Sequence, residues 1–167
     1  FLVALTVIVI ANNRHRTQMQ VEAAAQEAYR SRMETDELTG LLNKEGFYRR
    51  GSEFLEEHSE ADARILYINI ENFKLVNDLF GEDAGDEFLK FIGRELEKNF
   101  GRIDIISCRY EADHFVILTL ESEDRIQAQM KRFCDRIRDY YLKTTVEISA
   151  GIYEIRDRSK SLRIMCD

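Results

Sequence analysis

The alternation of apolar and polar residues along the chain predicts four strands. In ARILYINI (63–70), successive side chains fall on opposite faces and most of them are apolar, which is typical of a buried strand. Apolar runs predict further strands at 103–108, 115–120 and 145–155. The tip between the second and third strands, EADH (111–114), is charged and has no glycine, although tight turns usually recruit Gly, Asn or Pro. The chemistry of this tip therefore needs an explanation.

Helical spacing of apolar residues separates these strands. It predicts a helix at about 43–58, a short helix ended by Gly81, an amphipathic helix at 85–100 and a helix at about 123–141. The resulting order, αβααββαβ, predicts an α/β fold with a central mixed, partly antiparallel sheet flanked by helices. No GxGxxG sequence follows the first strand, so a doubly wound parallel sheet is not expected.

The first eleven residues, FLVALTVIVIA, are apolar except for Thr6. A helix that spans a bilayer needs roughly 20 residues, and the chain does not begin with Met. We therefore interpret residues 1–11 as the C-terminal part of a transmembrane helix. Arg14 and Arg16 follow, which predicts an inner-membrane protein whose remaining residues lie in the cytoplasm. A signal-peptide core or a strand is the alternative interpretation.

Residues 12–35 are predicted to form a helical connector. From Arg14 to Thr35 there is no Gly or Pro, and VEAAAQEAY is strongly helix-forming. We expect a homodimer through this connector helix, which is where a signal relay would lie. The heptad-like seam, which polar residues interrupt, consists of Met19, Ala23, Gln26, Arg30 and Met33.

Charge and cysteine content narrow the possible functions. The formal net charge of -7 and the lack of a basic stripe argue against nucleic-acid binding, although local donors can still hold a small anionic ligand. Cys108, Cys134 and Cys166 form no CxxC pair. They are predicted to be reduced, intracellular thiols that pack as small apolar groups.

Four segments in order resemble the signatures of one family, the GGDEF domains of diguanylate cyclases. DELTGLLN (36–43) resembles the family's opening DxLTGLxN, and NIENFKLVNDLFGEDAGDEFL (69–89) resembles DIDxFKxxNDxxGHxxGDxxL. RYEADHF (109–115) stands where RYGGDEF or RYGGEEF would stand, and ISAGIY (148–153) resembles the SxGIA strand. The resemblance covers residues 36–167, with the C-terminal end truncated. It implies a bacterial cyclic di-GMP signalling domain with a nucleotidyl cyclase-like, palm-type fold.

The resemblance also implies a reaction, the condensation of two GTP molecules to cyclic di-GMP, with two Mg²⁺ ions in each domain. In the family, the first Asp of DIDxFK is a metal ligand, and here that position holds Asn69. A carboxamide offers a neutral oxygen where Mg²⁺ prefers a carboxylate. Asp113 matches the second metal ligand, and Glu71 replaces the second Asp on the face that carries Asn69. Asp113 and Glu71 are therefore the candidate metal ligands.

At the tip, Glu111 and Ala112 replace the two family glycines, and His114 replaces the following Glu. Glycine lets the turn adopt its shape and lets the nucleotide lie against the backbone. Glu111 instead adds bulk and a negative charge beside a polyanion. Together with Asn69, these replacements predict an inactive catalytic site with impaired Mg²⁺ binding.

Other positions of the family's GTP site are retained. Asn77 and Asp86 match residues that hydrogen-bond guanine, and Lys74 matches a lysine near the phosphates. The resemblance therefore implies that GTP is a ligand. The alternative interpretation is that Asn77 and Asp86 are helix caps and that Lys74 is a solvated surface charge.

The family's product-inhibition site is not expected here. Arg102 stands at its Arg position, but its Asp position holds Ile105, and Asp104 lies one residue early on the other strand face. MCD (165–167) resembles the start of a final segment whose later Lys and Arg bind phosphate. Those ligands are not present in the chain.

The sequence thus predicts a degenerate GGDEF domain that binds GTP or relays a signal to a domain beyond Asp167, for which an EAL phosphodiesterase is a candidate. Two alternatives stay open. One is an active diguanylate cyclase, and the other is a dimerisation scaffold that binds no nucleotide.

Overall fold

The computed structural model describes residues 2–101, 105–140 and 146–166, with side chains from residue 12 onwards. The chain divides into two compact units, residues 1–33 and 34–167. The first contains one long helix, α1 (Leu2–Met33), whose described side chains are almost all exposed. Its sequence contains neither Gly nor Pro, so nothing in it interrupts the helix.

The second unit carries the remaining described elements. Its helices are α2 (Lys44–Glu57), α3 (Phe73–Phe80), α4 (Glu82–Phe100), α5 (Glu123–Tyr140) and α6 (Leu162–Cys166). Its strands are β1 (Arg64–Glu71), β2 (Ile105–Glu111), β3 (His114–Thr119) and β4 (Glu147–Glu154). Helix α4 begins earlier than predicted, directly after Gly81, whose φ of 88° ends α3 in a conformation that suits glycine.

In the part of the chain that the structure describes, four strands form one sheet in the order β2-β3-β1-β4. All of their pairings are antiparallel. The predicted α/β architecture, a central sheet flanked by helices, is confirmed. Strand β1 lies inside the sheet, with β3 and β4 as its neighbours.

Helices cover both faces of this sheet. One core joins the sheet to α4 and α5, and its members include Leu66, Ile68, Ile70, Phe88, Ile92, Leu96, Phe100, Phe115 and Phe133. The other joins the sheet to α2 and α6 through Phe47, Phe54, Ile65, Val116, Leu118 and Leu162. Burying each such side chain stabilises the fold by about 1.5–3 kcal/mol. Because a slip of one residue would exchange the two faces of β1, Asn69 and Glu71 are held on the α2 face.

The loop at residues 34–43 covers the outer edge of β2. It closes on itself, because the Asn43 amide donates to the Glu34 carbonyl over 2.8 Å and Thr35 pairs with Leu42. Leu42 also pairs with β2, and its carbonyl accepts from the Arg109 amide over 2.9 Å. This 34–43 loop therefore links the start of the second unit to the strand that leads to the hairpin tip.

Among the described residues, no helix is both long enough and apolar enough to cross a membrane. The predicted inner-membrane location is therefore wrong. The apolar run stops at Ala11, and α1 continues through Asn12, Asn13 and Arg14. The interpretation of residues 1–11 as part of a transmembrane helix depends on side chains outside the described set.

Candidate functional site

Asn69 and Glu71 lie at the C-terminal end of β1, where β3 and β4 meet it from either side. Asn69 stands directly opposite His114 of β3 and opposite Ser149 of β4. The hairpin tip between β2 and β3 is therefore next to the end of β1. This end of the sheet brings the predicted metal ligands Glu71 and Asp113 together with Asn69 and His114, two positions at which the chain departs from the family pattern.

Two neutral donors hold Glu71 at one carboxylate oxygen. The Asn69 Nδ2 amide and the Ser149 hydroxyl each donate to Glu71 Oε1 over 2.7 Å. Because a carboxylate only accepts hydrogen bonds, the amide turns its NH₂ group toward Glu71 and its carbonyl oxygen away. The hydrogen bond from Ser149, followed by the one from Asn69, lowers the pKa of Glu71. Glu71, one of the two candidate metal ligands, is thus already hydrogen-bonded to other side chains of the protein. Ser149 was not identified from the sequence.

Glu111, which replaces a family glycine, is paired with a cation. Its Oε1 lies 2.8 Å from the Nζ of Lys44 at the start of α2. The same ammonium group lies 4.1 Å from the centre of the Tyr110 ring. The hydrogen bond and the charge of Lys44 lower the pKa of Glu111. The pair is exposed and adds little stability, but it offsets the negative charge that we expected beside a phosphate.

Ala112 keeps a glycine-like backbone at the tip. Its φ is 31°, in the left-handed region that disfavours side chains. Arg109 supports this conformation, because its Nε donates to the Ala112 carbonyl over 2.8 Å. Its Nη1 lies 3.3 Å from each carboxylate oxygen of Asp36. Asp36 in turn accepts from the amide and hydroxyl of Thr39, over 2.8 and 2.7 Å. The tip is thereby tied to the 34–43 loop.

Asp113 and His114 stay beside β1. The Ile70 amide donates to the Asp113 carbonyl over 3.2 Å. The His114 Nδ1 lies 3.5 Å from Asp113 Oδ1, and its ring centre lies 5.6 Å from that of Tyr67. Both residues are half-buried. An imidazole packed near a tyrosine therefore occupies the position where the family has a glutamate.

The chemistry of these side chains bears on whether they could hold a divalent metal. Within 12–101, 105–140 and 146–166, no cluster of three or more His, Cys, Asp or Glu side chains could hold a metal ion. Mg²⁺ favours charged oxygens in near-octahedral geometry. Asn69 contributes no charge, and Glu71 already accepts two hydrogen bonds. The residues present therefore do not fit the two magnesium ions that the resemblance implies.

The residues expected to bind guanine lie on α3 and α4. The side-chain Oδ1 of Asn77 is buried, and the described residues offer it no hydrogen-bond donor. A side chain in place of Gly85 would collide with that oxygen. Asp86 follows Gly85 and is exposed, and Lys74 is exposed on α3. A buried acceptor without a donor is the feature that an N–H group of a ligand would complete.

The product-inhibition position offers no carboxylate. Ile105 belongs to the core against α4 and α5, where it is 8% exposed. Arg102 and Asp104 lie outside the described residues. The structure therefore places an apolar side chain at the position where the family has its Asp.

The cysteines are placed as packing residues. Cys108 is buried in the core on the α2 face, and burial raises the pKa of its thiol. Cys134 on α5 is half-buried, and burial raises its pKa as well. Cys166 is half-buried on α6. Raised thiol pKa values disfavour the reactive thiolate, so these positions suit small apolar groups.

Comparisons with known proteins agree on one family. The model of the family described as "Diguanylate cyclase, GGDEF domain" matches residues 33–166. The diguanylate cyclase DgcP of Escherichia coli is 32% identical over 129 residues, which cover 72% of this chain and 38% of DgcP. The chain spans between 14% and 38% of the length of the first three curated relatives.

Solved structures share the fold. The coiled coil and GGDEF domain of DgcB from Caulobacter crescentus, in complex with c-di-GMP, has a TM-score of 0.70 at 20% identity, covering 91% of this chain and 85% of that one. The S helix-GGDEF-EAL structure of Vibrio cholerae LapD, bound to c-di-GMP, has a TM-score of 0.71 at 18% identity, covering 88% and 35%. At such identities, the likeness concerns the fold alone.

Proposed function

Because this chain belongs to the GGDEF family of diguanylate cyclase domains, which act in cyclic di-GMP signalling, we propose that it is a degenerate copy that binds a guanine nucleotide without cyclising it. Domains of this family in general bind GTP and Mg²⁺. This copy would serve as a binding and relay module rather than as a cyclase.

The observation that carries the proposal is the hydrogen bond from Asn69 to Glu71. Metal ions in phosphoryl-type transfer offset charge on the triphosphate and on the attacking oxygen. Holding such ions requires anionic oxygens that face a common point. Here one position is a neutral amide that turns its NH₂ group to its neighbour, and Glu71 is anchored by that amide and by Ser149. This arrangement supports the proposed impairment of Mg²⁺ binding.

Nucleotide binding is supported by Asn77. The described residues offer no hydrogen-bond donor to its buried side-chain Oδ1. A guanine base carries N–H groups that would supply such a donor. Asp86, exposed on the adjoining helix, can accept from the same base. Lys74 extends from α3 into solvent, where it can meet phosphates.

The relay part of the proposal is supported by the connection between the 34–43 loop and the hairpin tip. Asp36 contacts Arg109, and Arg109 donates to the Ala112 carbonyl. A displacement of the loop would therefore be felt at the tip. We infer that the module acts on a domain beyond Asp167, with an EAL-type phosphodiesterase as the expected class. LapD, whose solved structure joins an S helix, GGDEF and EAL parts, is an example of that arrangement.

Homodimerisation through α1 is the remaining part of the proposal. Met19 and Met33 are 55% and 62% exposed. A helix that pairs with a second helix needs such exposed apolar side chains along its seam. Met19→Cys is expected to form a disulfide-linked dimer under mild oxidation, whereas Ala24→Cys, off the seam, serves as the control. Equal cross-linking of the two variants, after correction for the unsubstituted chain, would contradict a specific parallel seam.

Calorimetric titration of GTP tests the binding claim. Heat of binding is expected for the unsubstituted chain and is expected to vanish in Asn77→Ala and Asp86→Ala. Asp124→Ala, which removes an exposed aspartate from the first turn of α5, is the matched control. If no heat is detected for any form at millimolar GTP, the dimerisation scaffold is the better description.

A turnover assay tests the claim of inactivity. With GTP and Mg²⁺ at high protein concentration, no cyclic di-GMP is expected, and the same holds with Mn²⁺. Mg²⁺-dependent product that disappears in Asp113→Ala would instead establish an active cyclase.

A further inference from the structure

The short helix α3 exposes two leucines on one side. Leu75 and Leu79 are 44% and 60% exposed. They are four residues apart, so their side chains are neighbours on the helix surface. Phe80, at the end of the helix, is 44% exposed. The helix is held to the fold through Val76, which is fully buried. We refer to the side that carries the two leucines as the Leu75–Leu79 face.

The proposed nucleotide site does not account for this face. In the DIDxFKxxNDxxG pattern, Leu75 and Leu79 fall on unspecified positions, whereas Lys74 and Asn77 fall on specified ones. Neither leucine belongs to a core cluster among the described residues. The exposed parts of two neighbouring leucines carry a free-energy cost in water. A partner that covers them would remove it.

The surroundings of the face are acidic. Asp78 lies between the two leucines on α3, and Glu82 and Asp83 follow in the first turn of α4; all three are exposed, as is Lys74. A second copy docked through the same face would bring these carboxylates together, and juxtaposed like charges oppose association. A cationic partner would meet them favourably. The charge distribution therefore selects against self-pairing and in favour of a basic segment.

We propose that the Leu75–Leu79 face docks a basic amphipathic helix of another protein. Apolar side chains of that helix cover the two leucines, and its Lys or Arg residues meet the acidic rim, as in helix-in-groove recognition. Helix α3 has eight residues and is about 12 Å long. It can therefore contact about two turns of the partner. The surface lies on the helix that carries Asn77, so docking would also be sensed at the nucleotide site.

A fluorescent model peptide tests this proposal. The probe is a helical peptide of leucine and lysine with leucines at i, i+3, i+4 and i+7. The control peptide has the same leucines with glutamate in place of lysine. Anisotropy titrations are made with the unsubstituted chain, with Leu75→Ser/Leu79→Ser, and with Ile152→Ser/Ile164→Ser. The last variant removes two isoleucines that are 38% and 64% exposed elsewhere. Circular dichroism melting checks that each variant is folded.

The lysine peptide is expected to bind the unsubstituted chain and the isoleucine variant with equal affinity. Its affinity for the leucine variant is expected to be lower by about tenfold or more. Added salt should weaken its binding. Equal binding to all three proteins, equal binding of the glutamate peptide, or no binding overturns the proposal. Sedimentation provides a further check. A self-association that is lost in Leu75→Ser/Leu79→Ser would overturn it in favour of a second copy.

Discussion

The side chain of Asn69 illustrates how one residue changes the chemistry of its neighbours. Its NH₂ group donates to Glu71, which also accepts from Ser149. Glu71 thereby becomes the acceptor of a hydrogen-bonded cluster on the sheet surface. Glu111, at the tip, likewise forms an ion pair with Lys44 of α2. Glu71 and Glu111 are thus both bonded to neighbouring side chains of the protein.

Asn69→Asp is expected to make the stability of the protein depend on divalent cations. The substitution replaces a donor to Glu71 with a second carboxylate at close range, so the melting temperature should fall by several degrees in chelator. Mg²⁺ or Mn²⁺ should restore it, because a ligand that binds only the folded state stabilises that state. Thermal melts with and without cation measure both effects. An equal cation response in the unsubstituted chain would contradict the explanation.

Ala112→Gly is expected to stabilise the protein by about 0.5–1 kcal/mol. A non-glycine residue at positive φ costs about 1–2 kcal/mol, and glycine removes this cost. Part of the gain is offset because glycine is more flexible in the unfolded chain. The control is Ala128→Gly on the exposed side of α5, which should destabilise by about 1 kcal/mol because glycine is a poor helix former. Urea denaturation measures both. The same sign for the two substitutions would show that the tip is not strained.

At the scale of secondary-structure elements, the packing of α2 against the 34–43 loop sets the position of the hairpin. A Cβ atom on Gly46 would collide with the carbonyl oxygen of Glu34. The first turn of α2 and the start of the loop are therefore in direct contact. Asn43 caps α2, since its side chain accepts from the Gly46 amide over 2.9 Å. This contact holds the loop that Arg109 connects to the tip.

Gly46→Ala is expected to destabilise the protein by about 1–3 kcal/mol, because the methyl group meets backbone atoms that cannot rotate away. Gly151→Ala on β4 is the control, since a Cβ atom there meets nothing within 4 Å. That substitution should be neutral or slightly stabilising. Equal losses of unfolding free energy, measured by denaturation, would argue against the close contact.

The elements were predictable from the sequence because their signals are local. Strand β1 and helix α4 repeat their apolar residues at the spacing of their own geometry, so one stretch of sequence suffices. The contacts of the site are not local. Lys44 and Glu111 are 67 residues apart, and Ser149 and Glu71 are 78 apart. Only the folded sheet brings such pairs together. The resemblance indicated a candidate site, but it could not reveal that Glu71 and Glu111 are already bonded.

For the molecule as a whole, the placement of buried carboxylates determines the response to acid. Glu34 is 7% exposed and accepts from Arg49 and from Arg50. The hydrogen bond from Arg49 is the main cause of the lowered pKa of Glu34, against the opposing effect of burial. Burial also acts to raise the pKa of Glu95, but Lys98 and Arg136 outweigh it, so that this pKa is lowered as well. Carboxylates of this kind stabilise the folded state only while they are ionised.

The free energy of unfolding is therefore expected to fall in acid. A carboxylate whose pKa is lowered in the folded state stabilises the protein at pH values above its unfolded-state pKa, which is about 4.3 for Glu. That contribution is lost as pH falls through the folded value. Glu34→Gln should cost about 1–2 kcal/mol at pH 7, since the arginines are partly screened by solvent, and should flatten the acid decline. Glu56→Gln, exposed on α2, is the control. Denaturation at several pH values measures the slopes, and parallel slopes for Glu34→Gln and the unsubstituted chain would contradict this assignment.

The bonded cluster at the end of β1 also bears on how such a domain can change over generations. Restoring an aspartate at Asn69 alone sets two carboxylates against each other, and changing Glu71 alone leaves the Asn69 amide without its acceptor. Each single substitution at this cluster is therefore expected to give a less stable protein. Keeping every polar group of the cluster paired requires Asn69 and Glu71 to change together. The two positions are therefore expected to vary as a pair among descendants of this chain.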